Sequence, residues 1–260
     1  MSGQINVPDF NLAATLECGQ AFRWSRAADG WFTGVVGNRV RRLRQTGDVL
    51  EGDVDRHYLA LDVSLRDIVA TFPHDSALCE AVEQHWGLRV LRQEPWETLA
   101  SFIASSTKQI VQIRQIVELL AQRFGEPIGP AYSFPSAETL ARTTVAELRA
   151  CKLGFRAAYL HAAARHVADG QLDLAALSTM DYERAREELL KLHGVGEKIT
   201  NCVLLFSCGH DEAFPVDVWM KRALRRVDRH ADFGPFAGWA QQYLFHGERR
   251  RSPLKCATCK

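Results

Sequence analysis

Hydrophobic and polar positions change rhythm along the chain. In the first third, Trp31-Phe32-Thr33-Gly34-Val35-Val36, Arg39 to Gln45 and Val49-Leu50 are short β-type runs separated by Gly37-Asn38 and Thr46-Gly47-Asp48. That alternation predicts a meander of antiparallel strands. From about Pro95 the spacing becomes helical, with Leu99, Phe102 and Ile103, then Ile110, Ile113, Val117, Leu120 and Phe124, closed by Gly125-Glu126-Pro127-Ile128-Gly129-Pro130. Further helices are expected at about 136–150, 157–169, 181–192, 197–208, 216–229 and 235–246. The pattern is that of an α+β protein, with an N-terminal antiparallel β-sheet domain over 1–94 and a larger α-helical domain over 95–260.

Within the helical part, Leu189-Leu190-Lys191-Leu192-His193-Gly194-Val195-Gly196-Glu197-Lys198 ends one helix and starts the next across a turn holding Gly194 and Gly196. This is a helix-hairpin-helix, at about 181–208, and the N–H groups at the start of its second helix can seat a phosphate without reading sequence. An ordinary tight connection would have the same two glycines. Lys198 changes that balance, because it falls in the first helical turn, where the macrodipole disfavours a cation by ~0.3–1 kcal/mol. A surface lysine gains nothing there, whereas a nucleophilic one gains a larger share of free amine.

Asp217 opens the following helix in Phe214-Pro215-Val216-Asp217-Val218-Trp219, 19 residues after Lys198. Taken alone it is a good N-cap. A helix over 197–208 rises ~18 Å, and seven extended residues can span ~23 Å, so the loop over 209–217 can bring Asp217 back beside Lys198. An amine and a carboxylate at a phosphate-seating hairpin are suited to a sugar carbon of DNA. The carboxylate would stabilise oxocarbenium-like charge while the amine adds to C1′.

Composition narrows the classes. The chain has 260 residues, net charge +1, 24% charged and 47% hydrophobic residues, which excludes a disordered chain, a fibre and a uniformly basic coat. A polyanion partner must therefore meet a local patch, for which Lys221, Arg222, Arg225, Arg226 and Arg229, and Arg249-Arg250-Arg251 after the last helix, are the candidates. Seven cysteines without a repeated spacing, no signal-like start and no long apolar run point to a reduced cytoplasmic protein with no membrane partner. Cys256-Ala-Thr-Cys259 is a lone pair read as an inert tail, no heptad calls for a second subunit, and a monomer is expected. No strand–GxGxxG–helix fingerprint supports a nucleotide-dependent oxidoreductase.

The hairpin with Pro215-Val216-Asp217-Val218 resembles the helix-hairpin-helix, Gly/Pro-rich loop and aspartate motif of base-excision DNA glycosylases. Gly19-Gln20-Ala21-Phe22-Arg23-Trp24, Leu91-Arg92-Gln93-Glu94-Pro95, Phe102-Ile103-Ala104-Ser105-Ser106, Leu153-Gly154-Phe155-Arg156-Ala157 and Ala237-Gly238-Trp239-Ala240-Gln241 narrow the likeness. Together they are similar to a bacterial member of the 8-oxoguanine DNA glycosylase/AP lyase family, in order from about residue 16 to 246.

The resemblance implies a sheet domain followed by a two-part helical domain, and a damaged base flipped between the parts. It implies that Lys198 displaces the base and forms a Schiff base for β-elimination, with Asp217 as electrostatic partner and cap. Gly19 matches the glycine whose carbonyl accepts the N7–H that 8-oxoguanine has and guanine lacks. Cys202 and Phe245 match the residues that sandwich the base, with Phe206 beside them, and Gln241 matches the reader of its Watson–Crick edge. Phe155 and Arg156 match the pair that enters the duplex and meets the orphaned cytosine. Gly194 and Gly196 seat a phosphate, and the carbonyls of Leu190, Leu192 and Val195 offer a place for a monovalent or similar cation. No other cofactor is implied. The partner is double-stranded DNA containing oxidised guanine, met at the nucleoid.

The sequence also departs from the family. Thr107-Lys108-Gln109 replace an asparagine run whose first member reads the orphaned cytosine, and Gln112 replaces an arginine. A weaker preference for cytosine opposite the lesion is expected. Trp219 stands for a histidine that contacts phosphate, and His193 for a hairpin proline. The competing readings are a monofunctional glycosylase for alkylated bases, which would not need Lys198, and a non-catalytic DNA-binding module, which would need none of Lys198, Asp217 and Gly19.

Overall fold

The computed structural model describes residues 3–106, 108–228 and 231–251. Thr107, Arg229 and the Cys256/Cys259 tail lie outside the described residues. The chain opens with β1 (Gly3–Asn6) and α1 (Leu12–Glu17), then β2 (Trp24–Arg26), β3 (Phe32–Val36), β4 (Arg39–Thr46) and β5 (Val49–Gly52). These strands form one antiparallel sheet in the order β1-β5-β4-β3-β2. The expected meander is β2 to β5, and β1 closes the far edge beside β5. Alternation puts Trp24, Phe32, Leu43 and Leu50 on the inner face with Tyr58 and Leu91, where the Trp24 indole donates to the Tyr58 hydroxyl at 2.8 Å.

The first third is less purely β than its rhythm suggests. It also holds α2 (Leu65–Ala70) and α3 (Ser76–Gln84), started by the N-caps Ser64 and Asp75. Their apolar residues Leu65, Ile68, Leu78 and Val82 join the helical core rather than the core of the sheet. Buried Arg89 fastens the segments together through carbonyls, donating to Ala60 and Val63 at 2.7 and 2.8 Å and to Asp9 at 3.1 Å.

The helical part follows with α4 (Pro95–Ser105), α5 (Ile110–Phe124), the two-stranded pair β6 (Pro127–Ile128) and β7 (Ala131–Tyr132), then α6 (Ala137–Ala141) and α7 (Val145–Leu148). The single helix expected at 136–150 is thus two, because Thr144 and Glu147 form a capping box that starts a new one. A kinked turn over Arg149–Leu153 leads to α8 (Arg156–Ala168). Next come α9 (Tyr182–Leu190) and α10 (Glu197–Val203), the latter continued by a wider π-type turn over Leu204–Cys208. The last two helices, α11 (Val218–Ala223) and α12 (Ala237–Arg251), are respectively shorter and longer than expected. Arg249-Arg250-Arg251 is therefore the last turn of α12 and not a tail beyond it.

Two packings position the site: α4 lies against α10, and α12 lies against both α3 and α11. No helix among the described residues is long and apolar enough to cross a membrane.

Candidate active site

The hairpin closes through Val195 N–H to the Leu192 carbonyl at 3.1 Å, with Leu192 and Val195 buried beneath it. Gly194 sits at φ +85°, and a Cβ there would fall 2.3 Å from the Tyr159 ring, so both conformation and space demand glycine. Gly196 is extended and provides no side chain to cap α10. The first-turn N–H groups are thereby left without a side-chain cap, the arrangement a phosphate seat requires.

Lys198, in that first turn, reaches across to α4. Its Nζ donates to Ser105 Oγ at 3.0 Å and lies 4.8 Å from the centre of the Phe102 ring. Phe206 stacks on the same ring at 5.5 Å, and Phe22 meets it edge-on at 5.4 Å. One turn further along α10, burial pushes the Cys202 thiol up to about 11, while Lys198 pulls it down and Asp217 adds to the rise. Cys202 therefore lies within the fields of both expected catalytic groups.

Asp217 caps α11, with Oδ1 accepting from Trp219 N and Met220 N at 2.9 Å each. No direct ion pair joins it to Lys198 among the described residues, each group being held by other partners. The return of the loop is fixed by Asn201, which the sequence reading did not single out. Its Oδ1 accepts from Phe214 N and the Tyr182 hydroxyl, and its Nδ2 donates to the Glu197 carbonyl. A polar residue on the buried side of α10 was the available signal.

On the other side, Gly19 has φ +91°, and a Cβ there would come within 2.8 Å of Ile110, 3.4 Å of Arg249 and 3.6 Å of Phe245. Gly19 and Phe245 are thus neighbours, brought together by α12. The preceding carbonyl, of Cys18, accepts from Gln242 at 3.4 Å and Arg249 at 3.3 Å. Gln20 braces the turn by donating to the carbonyls of Thr15 and Arg89 and accepting from Leu91 N. Arg249 also feels the charge of Asp217, which links this side to the start of α11, and burial lowers its proton affinity. Gln241 is 3% exposed, and its Oε1 has no hydrogen-bond partner among the described residues. A buried acceptor left open is suited to a ligand's N–H.

The residues expected at the DNA surface divide. Phe155 is 57% exposed, but Arg156 turns inward, stacked 4.4 Å from the Phe155 ring and donating to the carbonyls of Leu153 and Ser106. Phe155 meets Tyr159, and Tyr159 meets His193, each edge-on, so an aromatic chain runs from this loop to the hairpin. Trp219 is half-buried under Arg222. Of the candidate basic residues, Arg226 and Arg251 pair with Glu80 and Arg250 with Glu17, while Lys221 and Arg225 form no ion pair with described residues. No group of three or more His, Cys, Asp or Glu side chains suited to a metal is present among the described residues.

Residues 4–99 match the family described as 8-oxoguanine DNA glycosylase, N-terminal domain, and residues 100–234 match the HhH-GPD superfamily of base-excision DNA repair proteins. The chain is 32% identical to a probable N-glycosylase/DNA lyase of Methanothermobacter thermautotrophicus, over 96% of this chain and 97% of that one. It is 33% identical to the N-glycosylase/DNA lyase of Saccharomyces cerevisiae, over 85% of this chain and 69% of the relative. Its fold superposes with a TM-score of 0.88 on the Clostridium acetobutylicum 8-oxoguanine glycosylase/lyase solved with double-stranded DNA bearing cytosine opposite 8-oxoguanine, at 29% identity, covering 96% of this chain and 98% of the other. The match spans the sheet, the hairpin and the aspartate loop alike, and the chain belongs to the 8-oxoguanine DNA glycosylase family of the helix-hairpin-helix repair superfamily.

Proposed function

We propose that this protein is a bifunctional base-excision repair enzyme that removes 8-oxoguanine from duplex DNA and then cleaves the strand 3′ to the abasic site. The observation that carries this reading is the Lys198 amine, half-buried beside Cys202 and held on Ser105 and Phe102 at the head of the hairpin. A monofunctional enzyme or a DNA-binding module has no use for an amine in that position.

In this reading the hairpin seats a phosphate and Phe155 fills the space of the flipped nucleotide. Gly19, Cys202, Phe206, Gln241 and Phe245 form the base pocket. Asp217 stabilises positive charge at the sugar while the Lys198 lone pair forms the C1′–N bond, and the glycosidic electron pair leaves with the base. The proton shed by nitrogen is taken up by the departing base. Opening of the sugar gives an imine, and loss of a C2′ proton expels the 3′ phosphate. Arg156 must exchange the Leu153 and Ser106 carbonyls for the orphaned base, and with Thr107-Lys108-Gln109 in place of the asparagine run and Gln112 in place of an arginine the preference for cytosine is weaker than in members that keep them.

A monovalent cation at the carbonyls of Leu190, Leu192 and Val195 would tie the hairpin to the DNA backbone. The Leu192 carbonyl already accepts from Val195 N and keeps a second lone pair. The protein acts as a monomer at the nucleoid, with 1–94 and 95–260 as its two domains.

Borohydride trapping on a duplex with one 8-oxoguanine opposite cytosine tests the reading. A covalent adduct is expected with the lesion and not with undamaged DNA, and it should vanish in Lys198→Gln while lesion binding persists. Base release without an adduct would replace the lysine mechanism by a water-using one.

A further inference from the structure

Ser105 ends α4, 7% exposed, and two contacts fix the sense of its hydroxyl. Its proton goes to the Phe102 carbonyl at 2.7 Å, the back-bond open to a helical serine. Ser105 therefore meets the Lys198 amine at 3.0 Å as an acceptor only. Direction matters here. A free hydroxyl beside a neutral amine can donate into the nitrogen lone pair, which is the pair a nucleophile has to keep. A hydroxyl already committed to a carbonyl takes an N–H and leaves the lone pair open. Phe102, three residues back on the same helix, presents its ring to the same nitrogen, so one helix holds the amine from one side.

We propose that Ser105 is a positioning residue for Lys198, whose committed hydroxyl fixes one N–H of the amine and leaves the lone pair free for C1′. This rests on the nucleophilic role of Lys198 proposed above. The oxygen stabilises an ammonium more than an amine, so its removal has two separable effects: looser aim and readier loss of the proton.

The test is single-turnover adduct formation and base release on the 8-oxoguanine:cytosine duplex across pH, with wild type, Ser105→Ala, Ser105→Thr and Lys198→Gln. Ser105→Ala should react roughly 10- to 100-fold more slowly, the scale of a misaimed reacting group, with lesion-duplex Kd changed by less than about twofold. Its acid limb should move to lower pH. Threonine can make the same back-bond and should restore both rate and limb. A wild type that forms no adduct overturns the lysine reading itself. A wild type that does, alongside a Ser105→Ala protein of equal rate and unmoved acid limb, overturns the role of Ser105 alone. A slow alanine variant that threonine does not rescue, with its acid limb unmoved, reduces Ser105 to packing and overturns the proposal equally.

Discussion

At the scale of single residues, Asp217 combines two duties that substitution can separate. Its carboxylate caps α11 through two N–H groups, and its charge reaches Cys202 and Arg249. Asparagine caps almost as well as aspartate, whereas alanine loses about 1 kcal/mol. Asp217→Asn should therefore melt within about a degree or two of wild type yet lose most base release, while Asp217→Ala should lose both stability and activity. Thermal melts read beside single-turnover rates check this, and full activity in Asp217→Asn would leave the residue a cap only. Lys198, Asp217 and Gly194 were legible in the sequence because their meaning is local: a position in a first turn, at a cap or in a hairpin. The contacts of Ser105, Asn201 and Arg249 were not, although Arg249 stood among the basic candidates and Ser105 in a family motif, because each meets a partner distant in the chain. The Ser105–Lys198 bond joins residues 93 apart, and no spacing rule reaches across that gap.

Among the elements, the hairpin sets its two glycines different tasks. Gly194 is fixed by positive φ and by the Tyr159 ring, whereas Gly196 has ordinary extended φ and open space around its Cβ position. Gly194→Ala is expected to cost about 2 kcal/mol or more, from left-handed strain with the ring overlap added, and to weaken duplex binding along with stability. Gly196→Ala should keep the melting temperature near wild type and lose binding only, through the side chain it sets in the path of a phosphate. Equal melting temperatures for the two would remove Tyr159 as the support of the hairpin. Pattern reading found α4, α5, α8, α9 and α10, which lie in the part of the chain where the helical rhythm is continuous. It passed over α2 and α3, helices of six and nine residues set in the first third, where the rhythm of the strands governs the expectation. It also merged α6 with α7 across a capping box, since capping residues are polar and leave no mark on a hydrophobic pattern.

For the molecule as a whole, the contact of α12 with α3 sets a buried histidine against a half-buried one. His246 is 2% exposed, 4.5 Å from His85 between ring centres, and burial pushes its imidazole down to about 3, with His85, Arg250 and Arg249 adding repulsion. His85 is lowered as well, by burial and by Arg250. Between about pH 3 and the ordinary 6.5, the unfolded chain binds a proton at His246 that the folded one refuses, so stability falls as pH drops through that window. Glu97, pushed up to about 7 by burial against the pull of Arg23, works in the opposite sense, costing stability as pH rises from 4.5 towards 7. His246→Phe should flatten the decline of melting temperature between pH 7 and pH 5. An unchanged slope would assign acid sensitivity to other groups. The same helix has a consequence for synthesis. The Cys18 carbonyl, next to Gly19, is held by Gln242 and Arg249, 224 and 231 residues later in the chain. A nascent chain can complete its hairpin and lysine well before the ribosome has released α12. In the reading proposed above, the base pocket is thus completed only after the hairpin has been made, and a chain grown past the hairpin but short of α12 would grip a strand without the means of choosing where to cut it.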